Sequence, residues 1–353
     1  MDFEEGIFEQ RFCEIYNNLF FTHFKATHIA KVVSIAGFNV KILFATEKIY
    51  NKVFPAIAHT ELVNDAVIDM QLCVFDLISA KVSTGLEEFT KDMYYKASAG
   101  ANVKTMKPLN SHYQLLYDNA YYYDQSKRLA FWFAQDISLL NEWHFANPFR
   151  HFFYDWLLRN DRVMVHAAAV ADADNAVILV GQSGSGKSTL MMSCYTQGLT
   201  VLGDDHCVLD TSSSSSSVYS LYNAIKIDTT IVDKFAGASS YITGHLTNFA
   251  GIKKSLINLH KMDPDKLSLS KSVKAIIKLA INPALESPQL NVMSSVDAIK
   301  YTALSTIAQL RSVNPKMVLG HITQAITSAD SFYLELSRDF RKNYQVIKDV
   351  LAR

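Results

Sequence analysis

The chain is short of cysteine, proline and glycine, and it carries no surplus charge of either sign. Its four cysteines, Cys13, Cys73, Cys194 and Cys207, form no C-x-x-C pair and have no histidines at zinc-site spacing. That excludes a zinc ribbon and a disulfide framework. They are expected to be reduced, mostly buried thiols of a cytoplasmic protein. Thirty-four basic residues balance 34 acidic ones, so neither nucleic acid nor an anionic membrane is expected as a partner. The opening residues, MDFEEG, are acidic and lack the positive region of a secretory signal. No apolar run reaches the roughly 18 residues of a membrane-spanning helix. Charged residues make up 19% and hydrophobic ones 49%, which permits a sizeable core and excludes global disorder. A length of 353 residues points to two domains or one large one.

Residues 1–145 are rich in Phe and Tyr and read as a β-rich N-terminal domain, expected to be antiparallel. VVSIAGFNVKILFAT (32–46) predicts two strands around Gly37 and Asn39. VIDMQLCVFD (67–76) alternates, with Ile68, Met70, Leu72 and Val74 on one face. The stretch 113–135 predicts strands broken at Asp118-Asn119 and near Ser126. No chemical constellation stands out there, and aromatic strands usually signal core packing. A helix follows, with Asn147 as its cap and Pro148 in its first turn. A second domain, 146–353, is taken to begin with it.

In that domain RVMVHAAAVA (162–171), AVILV (176–180), LTVLGDD and HCVLD predict strands, and a helix is expected from about 187 to 197. The six serines 212–217 predict a flexible loop tip between two strands. VYSLYNAIKID (218–228) reads as one strand, TTIVDKFAG as a short helix stopped by Gly237, and 238–270 as loop-rich. VKAIIKLAIN (273–282) and SFYLELS (331–337) predict strands, and 296–312, 316–327 and 338–352 helices. This interleaving gives an α/β core with a mixed sheet, α+β overall.

GQSGSGKS, residues 181–188, satisfies G-x-x-x-x-G-K-[ST] between an apolar strand and an apolar helix. Gly181, Gly184 and Gly186 let the backbone wrap closely around an anion. The loop amides, including those of Ser183 and Ser185, turn inward, and the helix N-terminus adds partial positive charge. Lys187 reaches the β and γ phosphates, and the Ser188 hydroxyl can ligate Mg²⁺. A structural Gly-rich turn would leave Lys187 and Ser188 unexplained.

Asp204 lies 23 positions after Gly181, at the end of the next strand, where strand ends share a crevice with the phosphate loop. One carboxylate of the Asp204–Asp205 pair can hold Mg²⁺ while the other accepts a proton from an attacking hydroxyl. Within a strand the two would point to opposite faces, so both reach one site only if the strand has ended. The plainer alternative is a pair of turn residues. His166, 15 positions before Gly181 on the preceding strand, is either a satisfied core histidine or a site residue that the small side chains of HAAAV leave approachable. His206 has no assigned role. Lys226 is a basic residue that meets phosphate, or an exposed strand lysine.

His166 in HAAAV, the loop GQSGSGKST and GLTVLGDD together resemble the HPr kinase/phosphorylase family, whose catalytic core is related to phosphoenolpyruvate carboxykinase. The resemblance covers 160–230 strongly and the rest of the C-terminal domain loosely. It implies an HPr kinase-like core in which Lys187, Ser188 and Thr189 bind the phosphates of ATP or GTP and Mg²⁺. It also implies Asp204 as general base, Asp205 as a metal or phosphate partner with the roles exchangeable, His166 lining the site, and a homo-oligomer. The chain has no Arg-Gly dipeptide, an element that family carries downstream. It looks more like a divergent branch, the HPr-kinase-like enzymes of lasso-peptide and other ribosomal peptide pathways, to which VYSLYNAIKID, ALSTIAQL (303–310) and HFFYDWLL are similar. The implied activity is phosphorylation of a serine or threonine hydroxyl on a peptide or protein, with the N-terminal domain recognising the substrate. A kinase of a small hydroxylated metabolite such as free serine, and a non-catalytic nucleotide-binding regulator, stand as alternatives.

Overall fold

The computed structural model describes residues 29–63, 66–79, 119–134, 136–212, 216–248, 251–310 and 314–353. Cys13 and the strand expected over 113–118 lie outside the described residues. The chain divides into two compact units. One holds the described residues of 1–34, 38–55 and 61–145, and the other those of 35–37, 56–60 and 146–353.

The first unit is built on a five-stranded sheet. β1 (Ile29–Ile35) and β2 (Phe38–Phe44) flank a turn at Ala36-Gly37, both at positive φ (51° and 88°), as a tight hairpin turn requires. α1 (Glu47–Val53) is capped by Thr46, whose side chain accepts from the Ile49 amide. β3 (Met70–Asp76), β4 (Asn119–Asp124) and β5 (Leu129–Ala134) complete the order β1-β2-β3-β5-β4. The expected antiparallel arrangement is corrected: β3 pairs parallel with both β2 and β5, and β4 runs antiparallel to β5. β3 starts at Met70, after Ile68, and buries Leu72, Cys73, Val74 and Phe75 on both faces. A central parallel strand needs apolar residues on both sides, which overrides the expected one-sided alternation.

α2 (Glu142–Ala146) ends the first unit's part of the chain, and the second unit continues with α3 (Arg150–Leu158). Asn147 does not cap α3. Phe149 takes the cap position in left-handed conformation (φ 58°) without a side-chain bond, and Asn147 is buried with its amide nitrogen unpartnered. The strand expected over 162–171 is two strands, β6 (Arg162–Val165) and β7 (Ala168–Ala171). His166 stands in the step between them, because its amide donates to Thr306 Oγ1 at 3.1 Å. β8 (Asn175–Val180), α4 (Lys187–Thr196), β9 (Thr200–Gly203), β10 (Cys207–Asp210) and β11 (Ser217–Tyr219) follow. Ser216 and Ser217 leave the serine loop: Ser216 is buried and donates to the Ala325 carbonyl at 2.6 Å, and Ser217 opens β11.

VYSLYNAIKID also divides, between β11 in the large sheet and β12 (Ala224–Asp228) in a small one. The stretch read as loop-rich carries β13 (Ile242–Thr247), β14 (Lys253–Asn258) and α5 (Leu259–Met262), and the small sheet has the order β12-β14-β13. β15 (Ser270–Ile281), the unanticipated β16 (Gln289–Val292), α6 (Ser295–Leu310), α7 (Pro315–Ile326), β17 (Asp330–Leu336) and α8 (Phe340–Ala352) end the chain.

The large sheet runs β6-β10-β11-β15-β8-β7-β9, with β17 parallel to β15 and antiparallel to β16. β8, β15 and β17 are mutually parallel at its centre. Their inward residues Val177, Leu179, Ile277, Leu279 and Leu334 pack with Leu190 and Met191 of α4 and Ile347 and Val350 of α8. α6 and α7 pack on each other and against β6 and neighbouring strands. This mixed sheet between helices is an α+β arrangement. Among the described residues no helix is long and apolar enough to cross a membrane.

Candidate active site

The apolar strand β8 delivers the chain to the loop, and α4 begins at Lys187 directly after Gly186. Side chains at Gly181 and Gly186 would crowd the loop. A Cβ on Gly181 would meet Ser185 Oγ at 2.5 Å and the Leu279 carbonyl at 3.2 Å, and one on Gly186 would meet Leu336 Cδ1 at 2.7 Å. Gly184 and Gly186 also sit at φ 84° and 95°, where side chains are strained. Ser183 and Gly184 are exposed at the tip, and Thr189 lies in the first turn of α4. The Lys187 ammonium is buried and donates to the carbonyls of Gly181 (2.7 Å) and Gln182 (3.2 Å), which places it across the mouth of the loop. Burial lowers its pKa, against the opposing pull of Asp205 and Asp204.

β9 ends at Gly203, so the carboxylates are free of strand alternation. Gly203 is needed there, since a Cβ would meet the His206 carbonyl at 3.1 Å. Asp204 is 1% exposed. Its Oδ1 accepts from Ser188 Oγ at 2.8 Å and its Oδ2 from the Lys226 amide at 3.2 Å. Asp205, at φ 64°, turns the other way. Its Oδ2 lies 2.6 Å from Lys226 Nζ, and its Oδ1 lies 3.8 Å from His166 Nε2. Lys226 is no exposed strand lysine: it is 2% exposed on β12 and serves both aspartates, one through its amide and one through its ammonium.

The two carboxylates are shifted in opposite directions. Burial and the neighbouring Asp205 charge push Asp204 up to about 6, against Lys226 and the Ser188 hydrogen bond. Burial pushes Asp205 the same way, but Lys226, and His166 after it, hold it well below the usual carboxylate range. Burial lowers the pKa of His166 and of His206. His206 is buried edge-on to Tyr222 with both ring nitrogens unpartnered.

The structure therefore brings together the loop, Lys187, Ser188, Asp204, Asp205, His166 and Lys226. Motif reasoning did not single out Ser305 of α6, which hydrogen-bonds His166 Nδ1 and donates to the Gly181 carbonyl at 3.3 Å. Only the likeness of ALSTIAQL to a peptide-kinase segment marked that stretch. A serine on a helix 124 positions beyond the loop's first glycine has no local signal to announce it. Beside the loop lies a cavity of about 580 Å³, between Gly181–Ser185, the end of β15 (Lys278–Ala280) and α6.

The glycine cradle and the buried ammonium suit a bound polyphosphate. Among the described residues no three His, Cys, Asp or Glu side chains are grouped to hold a metal ion. The oxygen donors at the loop, Ser188 Oγ with Asp204 Oδ1 2.8 Å from it, are of the kind Mg²⁺ takes together with substrate phosphates.

No protein-family model matches the chain, and no curated protein matches it. Among solved structures, the HPr(Ser) kinase/phosphatase from Coxiella burnetii is similar over 54% of this chain and 88% of its own length, at 13% identity and a TM-score of 0.29.

Proposed function

We propose that the second unit is a Mg²⁺-dependent phosphotransferase. It moves the γ-phosphoryl group of ATP, or of GTP, to a serine or threonine hydroxyl of a peptide or protein. The observation that carries this reading is the 2.8 Å bond between Ser188 of the loop and Asp204 of the carboxylate pair. It joins the phosphate-binding element to the proton-accepting one, which a nucleotide-binding regulator has no need to keep. In the same reading the chain is a divergent, cytoplasmic relative of HPr kinases, of the branch that modifies ribosomal peptides, acting as a homo-oligomer.

Lys187 and the loop amides hold the β and γ phosphates, with Thr189 behind them at the start of α4. Ser188 and one carboxylate of the pair would hold Mg²⁺, which neutralises charge on the phosphate oxygens when bound. Asp205, kept ionised by Lys226, suits a cation and makes a poor proton acceptor. Asp204, pushed up to about 6, accepts protons near neutral pH. The acceptor oxygen forms its bond to the γ phosphorus as the bond to the bridging oxygen breaks. Its proton passes to Asp204, and ADP leaves. His166, held by Ser305, lines the acceptor side.

The reading is tested by mass spectrometry of candidate peptides, free serine and protein incubated with ATP and Mg²⁺. A phosphoester on a polypeptide hydroxyl supports it. Phosphate only on free serine supports the metabolite-kinase alternative, and ATP binding without any phosphorylated product supports the regulator.

A further inference from the structure

The 580 Å³ cavity lies in the size range of ligand sites. It touches the loop only at Gly181–Ser185 and does not reach Lys187, Ser188 or Thr189. Its inner wall includes Ser305, whose partner His166 faces Asp205. Neither carboxylate lines the cavity; the link to them runs from Ser305 through His166 to Asp205.

Its charged member is Lys278 of β15. The ammonium stands 4.4 Å from the centroid of the Tyr333 ring and 5.3 Å from that of Tyr301, so two aromatic rings flank it. It forms no ion pair among the described residues. Glu335, the acid that acts on it electrostatically, is bonded instead by the Asn282 amide at 3.2 Å. The outer wall is apolar and open, with Tyr301 38% and Leu304 60% exposed.

We propose that this cavity seats the phosphoryl acceptor and that Lys278 reads an acidic side chain near the attacking hydroxyl, while Tyr301 and Leu304 receive an apolar neighbour. The acceptor class is an acidic peptide segment with an apolar residue beside its serine or threonine. The pre-positioned cation, which forms no ion pair among the described residues, supplies the charge complementarity, and the exposed rim supplies room for a chain larger than one amino acid. The inference rests on the phosphotransferase reading.

The test uses the full chain with a fluorescent ATP analogue and short serine peptides that carry a leucine beside the serine and glutamate, glutamine or lysine flanks. Wild type is expected to label the glutamate peptide with a kcat/KM at least tenfold above the lysine peptide. Lys278→Met should abolish that preference, Lys278→Arg should keep most of it, and both should bind ATP·Mg²⁺ within twofold of wild type. Leu304→Asp, at an exposed position, should raise KM for the glutamate peptide. A tenfold loss of nucleotide affinity in Lys278→Met would give the cavity to the nucleobase and overturn the inference, leaving the phosphotransferase reading standing. Equal labelling of the three peptides, or labelling of none, overturns it too. A wild-type chain that does not bind ATP·Mg²⁺ overturns the reading beneath it.

Discussion

Asp205 leaves β9 at φ 64°, and this left-handed residue points its carboxylate at Lys226 while Asp204 points at Ser188. Left-handed backbone is tolerated by aspartate better than by most side chains. The Lys226–Asp205 contact buries a lysine at 2% exposure, and removing one partner of such a pair leaves an uncompensated charge. Lys226→Met is therefore expected to destabilise the second unit by about 3 kcal/mol, read as a lower denaturant midpoint. Adding Asp205→Asn should recover part of the loss, since no charge is then stranded. A Lys226→Met variant as stable as wild type would show that the ion pair is not the anchor described here. From the sequence Lys226 could be read either way, because its partner sits 21 positions upstream and only the pairing of β12 with the small sheet brings the two together.

At the level of elements, the loop packs against the ends of β15 and β17, whose Ile281 and Leu336 crowd a side chain at Gly186. Gly186→Ala places a methyl group 2.7 Å from Leu336 Cδ1 at φ 95°, and should cost at least tenfold in ATP affinity. Gly184→Ala meets nothing within 4 Å and suffers only backbone strain, so titration calorimetry should find it the milder change. β8, the loop and α4 were legible because their signals are local: an apolar run, a glycine motif, an apolar-periodic helix. Others were not. The break at His166 follows from a bond to Thr306 on α6, 140 positions away. The division of 218–228 follows from β11 and β12 choosing different sheets. β13 was hidden because its alternation is short: of the three less exposed positions, Ile242, Gly244 and Leu246, one is a glycine.

Across the whole molecule, buried histidines set the response to acid. His59 is pushed down to about 3 by burial and by His260, and burial lowers His166 and His206 as well. An unfolded histidine titrates near 6.5. As pH falls below that, the unfolded state takes up protons that the folded state refuses, so stability is complete above about 6.5 and declines toward 3. Asp204 works in the opposite sense: raised to about 6, it contributes stability below its unfolded value of 3.8 that is lost as pH rises through 6. With three groups against one, the melting temperature should be lower at pH 5 than at pH 7 by more than about 2 °C. A higher value at pH 5 would contradict the buried, neutral state of these histidines.

The claim on which the rest depends is that loop and carboxylate pair form one transferring unit. It is tested most directly by measuring, in the same preparations, ATP·Mg²⁺ affinity and transfer of γ-labelled phosphate to polypeptide hydroxyls for wild type and Asp204→Asn. The account predicts affinities within a few-fold of each other and a loss of transfer of about 10²-fold or more in the variant. Transfer at the full rate by Asp204→Asn, or ATP binding by wild type with every hydroxyl left unlabelled, would contradict it.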